Sequence, residues 1–330
     1  MDNKIDDILQ RYPLKVVSQK RARGAVMLCA EGGTYIIKKY EGSIKKLHFQ
    51  KLVQDKLLME GYDLIDEIIV NNDGELSCKD NRGDVWIVKR WHQGEECNIR
   101  DIREVCLAAS NMAMLHQKMM LETDEDNLCY EKTDLYQLFL RHNREMKRVH
   151  SYIKEKKRKN DMEIKLLNSY NMFYSQGEDA VSILKDSEYS RIREYSFKNQ
   201  CVVHGNYTYH NVFFKDNQII TTGFERCAVG VQIVDLYDFI RKVMEKNSWD
   251  IDMGLRVIDS YFNVRKPSDN ECRLLYTLLI YPEKYWKLIN FYYNSRKTWM
   301  SEKNNEKLGK ICEQEKERLD FLESVKSLLF

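Results

Sequence analysis

Apolar residues change their rhythm near Trp91. Before it they fall in short, often alternating runs; after it they return every three or four positions over long stretches. In the first region, residues 14–18, 24–29 and 34–39 read as strands, with Glu31-Gly32-Gly33 as a hairpin turn between the last two. A helix over 47–60 carries Leu47, Val53, Leu57 and Leu58 and is stopped by Gly61. Residues 64–70, 75–78 and 85–90 follow, separated by Asn71-Asn72-Asp73-Gly74 and Asn81-Arg82-Gly83-Asp84 turns, for a sheet of about five antiparallel strands.

Beyond Trp91-His92-Gln93-Gly94 the pattern predicts a helix over 102–117, ending in Met112-Ala113-Met114-Leu115-His116. Thr133 is expected to cap a long helix with Leu135, Leu138, Phe139, Met146, Val149 and Ile153 on one face, partnered by a helix over 164–184. Short strands over 201–203 and 219–222 bracket a loop, and from Asp235 onward helix follows helix. Leu308, Ile311, Leu319, Leu322 and Val325 stripe the last one. The fold class this predicts is α+β and two-lobed, with a β-rich lobe over 1–90 and a mostly helical lobe over 91–330.

Composition removes several function classes. A formal net charge of +2 across 330 residues creates no global field toward nucleic acid or anionic lipid. Lys154-Glu155-Lys156-Lys157-Arg158-Lys159 lacks interleaved aromatics to stack bases and reads as the solvated tip of a helical hairpin. No apolar run is long enough to span a membrane, and the amino terminus resembles no signal peptide, so synthesis is expected in the cytoplasm. The nine cysteines show no C-x-x-C pairs and no histidines at metal spacing.

The chemistry-bearing stretch is Val203-His204-Gly205-Asn206-Tyr207-Thr208-Tyr209-His210-Asn211-Val212, followed by Thr222-Gly223-Phe224-Glu225. Its layout resembles the H-G-D-x-x-x-x-N catalytic loop and D-F segment of protein kinases and aminoglycoside phosphotransferases, with both aspartates replaced. Asn206 stands at the general-base position and Gly223 at the metal-binding one. A neutral amide has no useful basicity, and glycine offers a hard cation no ligand. Asn211 is the remaining ligand position. The catalytic positions Asn206, Asn211 and Gly223 are therefore degenerate, and none is expected to function.

In that plan a lysine on the third strand meets the nucleotide phosphates and an acidic residue of the following helix. Tyr35-Ile36-Ile37-Lys38 supplies the lysine, Lys39 pointing to the opposite face. Asp55 is the acidic candidate, so Lys38 and Asp55 make up the candidate nucleotide site. Arg21-Ala22-Arg23-Gly24-Ala25 is a meagre phosphate loop with one glycine. His204 and Asp235 are read as braces of the loop backbone.

The chain further resembles the CotS family of spore coat proteins. The resemblance is carried by segments 35–38, 91–95, 115–116, 204–212 and 234–244, and above all by Tyr281-Pro282-Glu283-Lys284-Tyr285-Trp286-Lys287, continuing through Asn290-Phe291-Tyr292-Tyr293-Asn294-Ser295 to Lys297-Thr298-Trp299. It implies a protein-kinase-like fold, a place in the spore coat after synthesis in the mother cell, and other spore coat proteins as partners. Tyr285, Leu288, Tyr292 and Trp299 fall at helical spacing and read equally as core or as a binding face.

Two functions remain. One is a pseudokinase acting in coat assembly, with no cofactor. The other is an ATP- and Mg2+-dependent phosphotransferase acting on a small molecule or a coat protein. For the latter, Glu225 is the weak metal candidate, since residues two apart on an extended segment share a face roughly 7 Å apart.

Overall fold

The computed structural model describes residues 3–22, 24–123, 128–294 and 302–330. Arg23 of the single-glycine turn and Ser295, Lys297, Thr298 and Trp299 of the aromatic block lie outside them.

In chain order, helix α1 (Asn3–Leu9) precedes strands β1 (Val16–Ala22), β2 (Ala25–Ala30) and β3 (Gly33–Lys39), helix α2 (Ile44–Met59), and strands β4 (Ile68–Ile69), β5 (Cys78–Lys79), β6 (Val85–Trp91) and β7 (Glu95–Glu96). Helices α3 (Ile102–Lys118), α4 (Leu135–Glu155), α5 (Asp161–Lys185) and α6 (Tyr189–Lys198) lead to strands β8 (Val202–Val203), β9 (Val212–Lys215), β10 (Gln218–Thr221) and β11 (Ala228–Val229). Helices α7 (Ile233–Met244), α8 (Ile251–Phe262), α9 (Asp269–Ile280), α10 (Glu283–Asn294), α11 (Glu302–Glu313) and α12 (Glu315–Leu329) follow. This is the expected α+β plan, with a small antiparallel sheet near the amino terminus and a mostly helical remainder.

The chain divides into two compact units, Met1–Glu131 with Ser196–Asp235, and Lys132–Tyr195 with Leu236–Phe330. This grouping differs from the 1–90 and 91–330 division suggested by the pattern, because the loop segment 203–225 packs with the residues of the sheet. The sheet has six strands, one for each of the six runs read from the pattern and one more than the count of about five, in the order β1-β2-β3-β6-β4, with β5 also pairing β6. Every pair is antiparallel. The expected strand over 64–70 shrinks to Ile68–Ile69, and Ile65 makes only an isolated bridge to Thr221. One apolar cluster (Ile8, Tyr12, Leu28, Tyr35, Ile37, Val88) covers one side of the sheet, and α1, which the strand pattern gave no reason to expect, contributes Ile8 to it. Ser43 starts α2 by accepting from the Lys46 N–H at 3.3 Å.

In the second unit α4 and α5 form a long antiparallel hairpin. Asp134, not Thr133, caps α4, accepting from the Gln137 N–H at 2.9 Å. Asn160 and Glu163 form a capping box that starts α5 earlier than its apolar pattern. Residues 154–159 turn between these helices with Lys154, Lys157 and Arg158 exposed, as a solvated tip should. The carboxy-terminal stripe belongs to two helices broken at Gln314, and Leu319 is 43% exposed rather than buried. Tyr281, Tyr285, Leu288 and Ile289 are core. Tyr285 stacks on Phe173 and Tyr281 on Phe139, so this face of the aromatic block is occupied internally.

Candidate functional site

The loop after β8 is shaped by one buried carboxylate. Asp235 accepts from the His204 N–H at 2.6 Å and the Gly205 N–H at 3.0 Å, with His116 Nε2 at 3.2 Å. Burial alone would raise this carboxyl, but hydrogen bonds from His116 and the His204 backbone hold it below the usual carboxylate range. His204 Nδ1 accepts from the Asn206 N–H, so its proton resides on Nε2, which donates to Thr222 O at 3.1 Å. Burial lowers its pKa and keeps the ring neutral. His204 is thus a satisfied core residue and Asp235 a brace. Gly205 has φ +71°, and a Cβ there would lie 2.4 Å from Arg226 O.

Beneath the loop, Tyr62 donates to Asn111 Oδ1 at 2.8 Å, and Asn111 donates to Thr221 Oγ1 and Tyr207 Oη, each at 3.0 Å. Tyr207 passes its proton interaction on to Ala108 O at 2.8 Å. This buried network fixes β10 against α3. It leads directly into the degenerate positions. Asn211 Nδ2 donates to Asn206 O at 2.9 Å, so two of these positions meet through a side chain and a backbone carbonyl. The third, Gly223, takes φ +87°, and a Cβ on it would stand 2.8 Å from Asn211 Cγ. The conformation favours glycine, and a Cβ would press on the Asn211 side chain.

Past Gly223 the chain makes a short 3-10 turn, Phe224–Arg226, anchored by fully buried Phe224 against the His204 ring. That turn aims Glu225 at the sheet. Lys38 donates to Glu225 Oε1 at 2.6 Å, and Lys89 donates to the same oxygen at 2.7 Å. Lys89 also donates to Asp66 Oδ2 at 2.8 Å, which accepts from the Gly223 N–H at 3.1 Å. The register of β3 with β6 pairs Ile36 with Lys89 and Lys38 with Ile87, so the two lysines are diagonal neighbours on one sheet face. Lys89 is 0% exposed. A lysine tolerates this only when paired, and burial, which by itself would lower its pKa, is outweighed by Asp66 and Glu225 so that the pKa rises. Burial likewise pushes Glu225 up, and Lys89 and Lys38 outweigh it to hold that carboxyl far below its ordinary range.

The predicted Lys38–Asp55 pair does not form. Asp55 accepts from Lys51 at 2.5 Å on a half-exposed face of α2. Its neighbour Gln54, fully buried, donates to Asp66 O at 2.9 Å and accepts from the Ile68 N–H at 3.0 Å. One residue is 100° of helix, enough to exchange an inward face for an outward one. Lys39 does face away, pairing with Asp84 at 2.5 Å. Lys89 and Asp66 were missed by sequence reasoning. The usable signal was a lysine closing the apolar run Val85-Trp86-Ile87-Val88-Lys89.

As arranged, Gly223 offers magnesium no oxygen ligand, and the two lysines and two carboxylates of the site are engaged with one another. Among the described residues no group of three or more His, Cys, Asp or Glu is placed to hold a metal ion. An open cleft of about 840 Å³ in the same unit is lined by residues including Glu95, Arg103, Leu107 and Phe214, and includes none of the four charged residues.

Comparison with known proteins bears on the family and the fold. Residues 5–325 match the family model described as "Spore coat putative kinase YutH". No match is found among curated proteins. Among solved structures the chain is similar to an aminoglycoside phosphotransferase from Alicyclobacillus acidocaldarius, at 15% identity and a TM-score of 0.88, covering 98% of this chain and 96% of that one. It is also similar to spectinomycin phosphotransferase APH(9)-Ia in complex with ADP and spectinomycin, at 11% identity and a TM-score of 0.62, covering 94% and 92%. A third is amicoumacin kinase hAmiN in complex with AMP-PNP, Ca2+ and Ami, at 11% identity and a TM-score of 0.61, covering 97% and 94%. At these identities the likeness establishes the kinase-like fold.

Proposed function

Since the chain belongs to the spore coat kinase family YutH, we propose that it is a pseudokinase of the spore coat, acting in coat assembly through contacts with other coat proteins rather than by phosphoryl transfer. The observation that carries this reading is Gly223. Its left-handed φ and its contact with Asn211 build the absence of a metal-binding carboxylate into the backbone, so the loss is more than a side-chain replacement. Asn206 supports it, because a neutral amide accepts no proton from an attacking hydroxyl. Of the nucleotide-site candidates Lys38 and Asp55, Lys38 would be the phosphate contact, with any such binding nearly independent of magnesium, while Asp55 is turned to Lys51. Glu225 is a poor metal ligand while two ammonium groups share its oxygen. We assign the β-rich lobe to residues 1–90 and the helical lobe to 91–330, a boundary that limited proteolysis near Gln93-Gly94 checks.

The alternative, an ATP-dependent phosphotransferase acting on a small molecule or a coat protein, draws on the retention of Lys38 and Asn211 and on the ADP and AMP-PNP in the similar structures' names. The test incubates the protein with ATP labelled at the γ-phosphate, magnesium and spore extract. No transfer, together with normal coat localisation of a Lys38→Ala variant, is expected. Label transferred by wild type and abolished by Lys38→Ala establishes the alternative.

A further inference from the structure

We propose that Glu225 is a built-in substitute for nucleotide phosphate: its carboxylate fills the anion position between Lys38 and Lys89, so the ligand that this fold ordinarily holds is replaced by a part of the chain. The inference rests on the pseudokinase reading and extends it from lost catalysis to lost nucleotide binding.

In the phosphotransferase plan, the third-strand lysine and the metal neutralise the phosphates together. Here a lysine stands on the third strand, a second lysine lies two residues away across the β3–β6 register, and the anion comes from residue 225. Two ammonium groups placed diagonally on one sheet face repel each other, and the repulsion grows where water is excluded. A shared carboxylate oxygen at 2.6 and 2.7 Å is what makes their juxtaposition stable. Asp66 balances the second cation from the other side at 2.8 Å, and the cluster of two lysines and two carboxylates has no net charge. No electrostatic demand is left for a phosphate, and none for magnesium.

The substitute is also held rigidly. Buried Phe224 fixes the residue before it, and Gly223 donates its N–H to Asp66, so the turn carrying Glu225 is tied to the acid that holds Lys89. Entry of a phosphate at Lys38 requires the Glu225 carboxylate to leave, which would strip Lys89, a residue with no exposed surface, of one of its two counter-ions. Removing the carboxylate while leaving the lysines in place frees Lys38 beside the Lys89–Asp66 pair and leaves the cluster one net positive charge to attract an anion of phosphate chemistry.

The test compares wild type with Glu225→Ala by thermal unfolding and calorimetry, in phosphate-free buffer, adding inorganic pyrophosphate or ATP without magnesium. Wild type is expected to show no Tm shift with either. Glu225→Ala is expected to melt lower, by roughly 5–10 °C if a buried pair is broken. Either anion should raise its Tm, with affinity at least tenfold above wild type. Adding Lys38→Met to Glu225→Ala should remove that response, which places the anion at this site. Should Glu225→Ala fold poorly, Glu225→Gln keeps the side-chain shape, removes the charge, and is expected to respond in the same direction. The proposal is overturned if wild type binds ATP as tightly as the variant, or if the variant melts lower and ignores both anions. Those outcomes leave the pseudokinase reading standing where no label is transferred. Transfer by wild type removes that reading first.

Discussion

The two units bury polar groups in different ways. In the sheet-containing unit the critical charges come from residues 38, 66, 89 and 225, brought together from distant parts of the chain. In the helical unit most buried charges are met by a near neighbour or by a helix end. Arg241 pairs with Glu245 one turn on, Arg318 pairs with Glu315 and donates to the carbonyls of Leu279 and Ile280, and Glu163 takes Lys156. Its largely aliphatic interior also holds aromatic stacks: Phe139 on Tyr281, Phe173 on Tyr285, and His142 on Trp286. A long-range charge cluster is an all-or-none device, because removal of one member leaves another buried and unpaired. Local pairs and stacks fail one at a time.

The largest expected effect follows from that difference. Lys89→Ala should cost about 3–5 kcal/mol in urea unfolding, since Asp66 stays buried without its cation. Lys38→Ala should cost less, because Lys38 retains 29% side-chain exposure and its loss leaves Glu225 with Lys89. Equal small costs for both would dissolve the contrast between cluster and local pairs.

Acid should separate the units next. Burial, with Arg141 and Lys287 nearby, lowers the pKa of His142 to about 3, and its Nδ1 has no hydrogen-bond partner. Glu283, 3.9 Å from Nδ1, opposes this shift without reversing its direction. A histidine with a depressed folded-state pKa contributes stability that is intact above its ordinary 6.5 and lost as pH falls toward the folded value. The loss is at most roughly 1.4 kcal/mol per pH unit. Glu225, also depressed, keeps its contribution until pH falls below the ordinary glutamate value, and Lys89, raised, loses its contribution only as pH climbs above that of lysine. Hydrogen exchange at pH 7 and pH 5 should therefore show the helices around His142 loosening, and with them the loop held by His204, whose pKa burial also lowers, while the ion pairs between β3, β6 and Glu225 keep their own contribution. His142→Phe should flatten the dependence. Simultaneous loosening of β3 and β6 would break the comparison.

A smaller effect is expected from the attempt to rebuild catalysis. Gly223→Asp forces a side chain into a left-handed position and against Asn211, at a cost of about 1–3 kcal/mol. Combined with Asn206→Asp it should still transfer no γ-phosphate, since Lys38 remains with Glu225. Measurable ATP hydrolysis by this double variant would show that the cluster yields to a metal. The smallest effect belongs to Asp55→Ala, within about 0.5 kcal/mol, because its partner Lys51 lies one helical turn away on the same half-exposed face. Gln54→Ala should exceed it by about 1 kcal/mol or more through two lost buried hydrogen bonds.

Much of this molecule was legible before its structure. The alternation of β2 and β3, the Glu31-Gly32-Gly33 turn, the helical rhythm of α3, α4 and α5, and the facing of Lys38 against Lys39 are all local periodicities, and each appears as expected. The replaced aspartates at 206 and 223 are visible in the letters alone. Boundaries were less legible. Asp134 won the cap from Thr133, and α5 began earlier because a capping box extends a helix beyond its apolar stripe. The aromatic block over 281–294 read equally as core or surface, since spacing names a face without naming what covers it. Packing against α4 and α5 made Tyr281 and Tyr285 core.

The partner of Lys38 was decided by tertiary structure. Asp55 is near it in sequence and Glu225 is 187 residues away, yet one residue of helix phase and the β3–β6 register select the distant residue. Sequence periodicity reports which side of its own element a residue occupies, because that is set by local backbone geometry. Which residue meets it from another element depends on register, on a positive φ at Gly223, and on burial that forbids Lys89 to remain unpaired. Those terms exist only once the chain is folded.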